Sequence, residues 1–267
     1  MDVLKISNET SPKVILESIA SLREQKGKER ETLALIEEAL LQGHYFVIDL
    51  FWEEALVYQH KVMTERSKSA EEKDRVAEKK ALIAMEGAII KAKFYIEKYQ
   101  LSGCYSRLHR FLGRLNDYKG NFRQASIEYK KAIPLVKTDP EYLEKKLPRW
   151  LELEGFLSYS LIMSGKVKEG VSLAKRVFRK FDEAAEGKFL KKKDYYIWAI
   201  WKSGIPIRTV SALLDKRFTF NKKEMLKFID EAERILAVPK GVRTWGDEKF
   251  TFRNDEIANL KRRLIGN

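Results

Sequence analysis

The sequence predicts an all-α fold, and three observations carry that prediction. Apolar residues recur at spacings of three and four, the period of an amphipathic helix rather than the alternation of a strand. No proline interrupts the chain between Val14 and Ile133. No Asn-Gly or Asp-Gly pair flanked by alternating residues marks a hairpin of strands.

The elements follow from local signals. A first helix is expected from about Pro12 to Glu24, with Ser11 as N-cap and Pro12 at the first helical position, where a missing N–H costs nothing. Gly27 follows it. A second helix covers about residues 28–41 and stops at Gly43, and a third covers about 45–65. The polar stretch 66–73 reads equally as a loop or as a solvated continuation. A long helix comes next. Its Ala77, Ala81, Ala84, Ala88, Ala92 and Ile96 share a spacing suited to close packing, and Ser102-Gly103 ends it. Two short helices split by Gly120 and two more split by Gly165 complete the middle of the chain, with Thr138-Asp139-Pro140 between the pairs. Beyond Gly187 the composition becomes more basic, and Gly204, Pro206, Pro239, Gly241 and Gly246 punctuate the pattern. A soft boundary is therefore placed there, giving regions 1–187 and 188–267, the second continuous with the first or separate from it.

Charge supports the same division. The net charge is +13, of which residues 188–267 carry +9, from 19 Lys and Arg against 10 Asp and Glu. Such an excess suits an acidic partner, either nucleic acid or an acidic protein surface, although surface charge also serves solubility alone. Cys104 is the single cysteine. Neither an internal disulfide nor a multi-cysteine metal site can be built from it. The opening residues lack the basic and apolar regions of a signal peptide, and no apolar run reaches the length of a membrane span. A cytoplasmic, reducing environment is the expectation, with no membrane.

The stretch 106–133 is the most informative. Leu112-Gly113 precedes Gly120 by a fixed interval, Phe122 follows, and Ala125, Tyr129 and Ala132 fall on one face of the second helix. This pattern resembles the tetratricopeptide repeat, a 34-residue helix–turn–helix unit. Asp139-Pro140 resembles its closing pair but stands about three residues late, while His109 and Asn116 replace its usual aromatics. Small Gly113 and Ala125 suit a close helix crossing, and Gly120 a turn of positive φ. A weaker match covers 151–178 through Leu157, Ser158, Gly165, Val167, Gly170 and Ala174. Leu35, Gly43, Tyr45 and Ala55 hint at another hairpin. Because one hairpin cannot bury its own apolar face, the resemblance implies an α-solenoid of antiparallel hairpins, followed by a basic helical region.

The resemblance also implies a binding groove lined by the first helix of each hairpin. Arg107, Arg110, Phe111, Arg114 and Tyr118 share one face there. Three guanidiniums beside two aromatics suit a carboxylate-rich protein or peptide. Phe156, Tyr159 and Met163 either extend that face or belong to the core. The Lys and Asn pattern of the family's peptide-carboxylate clamp is not matched.

A second function class comes from residues 195–215, which resemble a DNA-binding helix-turn-helix. Gly204 stands at the turn, Ile205 follows it, Val210 and Leu213 anchor the second helix, and that helix would expose Arg208, Thr209 and Lys216 to a major groove. Lys191, Lys192, Lys193, Lys202, Lys222 and Lys223 would meet phosphates. Any helical hairpin with Gly and Pro at its corner reads the same way, and Tyr195, Tyr196, Trp198 and Trp201 suit a core better than base stacking.

Enzyme chemistry finds no support. The phosphate-binding, dinucleotide, zinc-protease and nucleophile-elbow motifs are absent. His44, His60 and His109 lie on separate predicted helices, and Glu37-Glu38, Glu53-Glu54 and Glu152/Glu154 read as solvated charge. No cofactor and no metal are expected.

Overall fold

The computed structural model describes residues 10–43, 46–68, 71–216, 218, 220–240, 242, 245–247 and 249–266. Among them there is no strand. The Tyr45, His44 and Gly241 readings lie outside the described residues. The chain divides into two compact units, 1–101 with 245–247, and 102–244 with 248–267.

The first unit holds α1 (Pro12–Arg23), α2 (Glu29–Leu41), α3 (Val47–Ser67) and α4 (Arg75–Lys98). Helix α1 starts as expected, since Ser11 Oγ accepts from the Val14 N–H at 3.4 Å and Pro12 follows the cap. Gly27 and Gly43 have positive φ after α1 and α2, which spares those tight exits a Cβ clash. Ile15, Ile19, Leu35, Ile36, Ala39 and Leu50 form the buried core of α1–α3. Of the polar stretch 66–73, residues 69 and 70 lie outside the described residues, and the others are not helical beyond Ser67. Helix α3 ends at Ser67, and Asp74 caps α4 by accepting from Val76 and Ala77 at 2.8 and 2.9 Å. Ala81, Met85, Ala88, Ala92 and Ile96 are buried on α4, which packs along α3.

The second unit begins with a 3-10 turn, Ser102–Cys104, followed by α5 (Tyr105–Tyr118) and α6 (Phe122–Leu135). The two helices form an antiparallel hairpin around Gly120, whose φ is +78°. A Cβ on Gly113 would lie 2.4 Å from the Tyr129 ring, so the helix crossing depends on glycine there. A short helix α7 (Pro140–Lys145) was not expected from periodicity. Asp139 caps it through the Glu141 N–H at 2.9 Å, and Pro140 opens it. The Asp-Pro pair thus starts a helix rather than closing a unit.

Helices α8 (Arg149–Met163) and α9 (Val167–Glu183) make the next hairpin, turning at Gly165 with φ +96°. Gly170 lies so close to α8 that a Cβ would meet the Ser158 carbonyl oxygen at 2.7 Å. Helices α10 (Ala185–Lys193), α11 (Tyr195–Asp215), α12 (Lys222–Leu236) and α13 (Thr251–Ile265) follow. Helix α11 packs on α8, α9, α10, α12 and α13. The compositional boundary near 187 therefore falls inside this second unit.

The helix-turn-helix reading is corrected here. Residues 195–215 form one helix, with Gly204 and Pro206 in its interior. Glycine and proline cost about 1 and 3 kcal/mol inside a helix. Burial on several sides offsets that cost, since Trp198, Ala199, Trp201, Ile205, Ile207, Val210 and Leu213 are all buried. Arg208 and Thr209 lie inside the unit at 9% and 2% exposure, so neither can read a base edge.

The glycines make a signed prediction. Gly113→Ala should destabilise the protein by about 1–3 kcal/mol, because the buried Tyr129 ring cannot yield. Gly87→Ala, in the middle of α4 with nothing within 4 Å of its Cβ position, should stabilise by about 0.5–1 kcal/mol. Urea unfolding of the two variants checks both signs.

Candidate binding site

The residues expected to line a groove converge, but largely inside the second unit. Arg110, Arg114 and Asp117 sit at i, i+4 and i+7 on α5, which places them on one face. Asp117 is the hub. Its carboxylate accepts from the Tyr129 hydroxyl at 2.6 Å, from the Ser160 hydroxyl at 2.6 Å and from Arg114 Nη1 at 3.3 Å. One buried side chain thereby ties α5 to α6 and α8. Burial pushes its pKa up, against the pull of Arg114 and the two hydroxyls.

The arginines have mostly found carboxylates within the chain. Arg110 makes a bidentate pair with Glu152, both bonds at 2.8 Å. Arg149 reaches the same carboxylate at 3.3 Å and also holds Glu141. Arg107 pairs with Asp139 at 3.2 Å. Arg107 and Arg110 therefore do not offer free guanidiniums to a peptide, and the groove reading is corrected for them. Phe111 and Tyr118 are buried as well, the latter accepting from Arg114 Nη2. Glu152, read from the sequence as solvated, is 5% exposed and the centre of an ion-pair network. Burial works to raise its pKa, but Arg110 prevails and holds it down.

Phe156 organises what remains. The Arg114 and Arg208 guanidinium carbons lie 4.4 and 4.5 Å from its ring centroid, and that of Arg110 lies at 5.8 Å. Phe156 in turn lies against Tyr129, with the rings tilted by 31° and their centroids 5.5 Å apart. Phe156 and Met163 are core, and half-buried Tyr159 packs edge-on to Phe122. Arg208 is brought to this cluster from α11. Burial, followed by the like charges of Arg253 and Arg114, pushes its pKa down to about 9.

One lysine expected to meet phosphates is placed otherwise. Lys202 is buried, donates to Asp182 at 2.6 Å and lies over the Phe178 and Trp198 rings. Tyr195, Tyr196, Trp198 and Trp201 belong to the core. Lys191, Lys192 and Lys193 are exposed in the last turn of α10, and Lys216, Lys222 and Lys223 are exposed too. Sequence reasoning passed over Asp117, Ser160, Arg149 and Arg253. The i, i+4, i+7 spacing of Arg110, Arg114 and Asp117 was the available signal for the first. The others are long-range partners that no local pattern announces.

A different surface stands on α4 of the first unit. Val76, Ile83 and Ile90 recur every seven residues, with Gly87 and Phe94 four residues after the last two. Ile83 and Ile90 are 61% and 60% exposed, so this is an unburied apolar ridge. Exposed Lys79, Lys80, Lys93 and Lys98 stand beside it.

No group of His, Cys, Asp and Glu among the described residues is arranged to hold a metal ion. Among them, too, no helix is long and apolar enough to cross a membrane. No protein-family model, no curated protein and no solved structure matches the chain.

The ion pairs make stability depend on acid. Burial alone would raise the Glu141 carboxyl, but Arg149, backed by Arg107 and Lys145, holds it down to about 2 from an ordinary 4.5. Between those values the unfolded chain binds more protons than the folded one, so stability is lost as pH falls from about 4.5 toward 2. Glu141→Gln should lower stability at pH 7 and flatten that acid slope, as measured by thermal melts from pH 7 to pH 2.

Proposed function

We propose that this chain is a non-enzymatic helical-repeat scaffold, an α-solenoid of tetratricopeptide-like hairpins, that binds a protein partner. The close Gly113–Tyr129 crossing, the positive φ at Gly120 and Gly165 and the Tyr129–Phe156 contact support the repeat register. The observation that carries the binding reading is the α4 ridge. Contiguous exposed apolar surface rimmed by charge is the mark of an interaction site. Its heptad-like spacing suits a partner helix laid along it, because residues seven apart return to one face. The lysines beside it favour acidic flanks on that partner. The acidic-partner expectation is thus kept, and its site moves from α5 to α4.

The test uses two synthetic amphipathic helices with the same leucine stripe, one flanked by Glu and one by Lys, followed by fluorescence anisotropy. The Glu-flanked helix should bind and the Lys-flanked one should not. Ile83→Glu should abolish binding while changing stability by less than about 0.5 kcal/mol, since Ile83 is mostly exposed. Equal binding of the two helices, or a variant that binds as well as the wild type, would refute this reading.

A second reading, contact with a nucleic-acid backbone, rests on exposed Lys191, Lys192 and Lys193 alone. It calls for binding that ignores base sequence and weakens with salt, by a log–log slope of about −0.9 per neutralised phosphate. Changing all three lysines to Gln should flatten that slope in a duplex-DNA titration. A slope unaffected by the change would remove these residues from consideration.

A further inference from the structure

One buried arginine beside Phe156 lacks the direct ion pair its neighbours have, although Glu256 and Glu152 act on it at longer range. Arg110 is matched by Glu152, Arg114 by Asp117, Arg149 by Glu141, and Arg253 by Glu256 at 2.6 Å. Arg208, nine-tenths buried among them, has no carboxylate within ion-pair distance among the described residues. Its Nε and Nη2 are enclosed without a hydrogen-bond partner, and so is Nε of Arg114. Arginine does not shed its proton to escape this, so the charge stays.

Space for that guanidinium is left by Gly204 on its own helix, while Gly155 on α8 makes room for Ile205 and stands at ordinary contact distance from the guanidinium. A Cβ at Gly204 would stand 2.5 Å from Arg208 Nη1 and 3.1 Å from Nη2. A Cβ at Gly155 on α8 would meet Nη2 at 3.4 Å and Ile205 at 3.1 Å. The glycine read from sequence as a turn is therefore the floor under an arginine. The head group lies against the Phe156 ring, as does Arg114.

We propose that Arg208 and Arg114, held against Phe156, form a binding site for one carboxylate group of a small organic acid or a peptide. The excess of a single positive charge fits a monoanion better than a phosphate dianion. Two guanidiniums with unpaired N–H groups offer the forked donors that carboxylates take in pairs. The phenyl ring offers apolar contact to the carbon that bears the carboxylate. The site lies wholly in the second unit and goes beyond the scaffold reading, which rests on α4, so either can fail alone.

The experiment is a ligand-linked melt of the full chain. Sodium acetate, an N-acetyl tripeptide with a free C-terminus, its C-terminal amide and sodium sulfate are each compared with sodium chloride at matched ionic strength. A ligand that binds only the folded state raises Tm in a saturable way. Acetate and the free-acid peptide should do so, while the amide and sulfate should not exceed chloride. Acetate alone would assign the site to small acids, and the peptide at lower concentration would assign it to peptide termini. In Arg208→Met the carboxylate response should vanish, while Tm in chloride should rise because an unpaired buried charge is gone. In the wild type, the Nε–H cross-peaks of Arg208 and Arg114 should shift together on titration with acetate. That measurement decides the matter should the variant fail to fold. A chloride-like response to every carboxylate, as a bridging water would give, or static cross-peaks, would overturn the proposal. So would an undiminished carboxylate response in Arg208→Met.

Discussion

The Asp117 carboxylate is the constraint on which the second unit turns. It comes from α5 and accepts hydrogen bonds from Tyr129 on α6 and Ser160 on α8. A buried carboxylate is costly without partners. Meeting its demands fixes the rotation of three helices at once, which apolar packing alone specifies less sharply. Gly113 is needed beneath Tyr129 for the same reason, since the ring must lie flat across the helix to bring its hydroxyl to Asp117. One polar hub therefore accounts for the small residue, the aromatic and the hydroxyl together.

The ion pairs around that hub follow a consistent logic. Removing a charge from water is repaid only by good geometry, and the bidentate Arg110–Glu152 pair has it. Arg149 bridges Glu141 and Glu152, joining α7 to α8. The short helix α7 exists where Asp139 can cap it and Arg149 can hold its first turn. Charge placement, rather than apolar periodicity, explains why a helix forms there at all.

Much of the helical layout was legible in the sequence, because caps, turn glycines and the 3.6-residue period act locally. Ser11, Gly120 and Gly165 performed the roles their types suggest. The side chains of the site were less legible. Arg107, Arg110 and Arg114 on one face read as a groove because nothing local reveals that Asp139 and Glu152 arrive from far along the chain. Gly204 and Pro206 failed as a turn because their local cost is offset by the burial of α11 on several sides, a term that no window of the sequence contains. The α4 ridge was half visible. The alanine face was read correctly as packing, while the opposite face, with Val76, Ile83 and Ile90, went unremarked because only burial shows which apolar stripe has a neighbour.

The contrast between the two surfaces bears on function. On α4 the apolar residues are exposed and the charges beside them solvated, so a partner can gain by covering the ridge without disturbing the unit. Around Phe156 the charges are enclosed and all but one are answered by the chain itself. Hydrophobic replacement of a paired, buried ion is often neutral, so the pairs alone do not require a ligand. The unpaired guanidinium is different, because it makes no direct ion pair among the described residues and its contact with the Phe156 ring leaves Nε and Nη2 without a hydrogen-bond partner. Gly204 on α11 leaves the room its head group occupies, and that glycine also weakens the helix. A sequence that accepts these costs at one position, while giving each neighbouring arginine a carboxylate, is what the proposed carboxylate site accounts for.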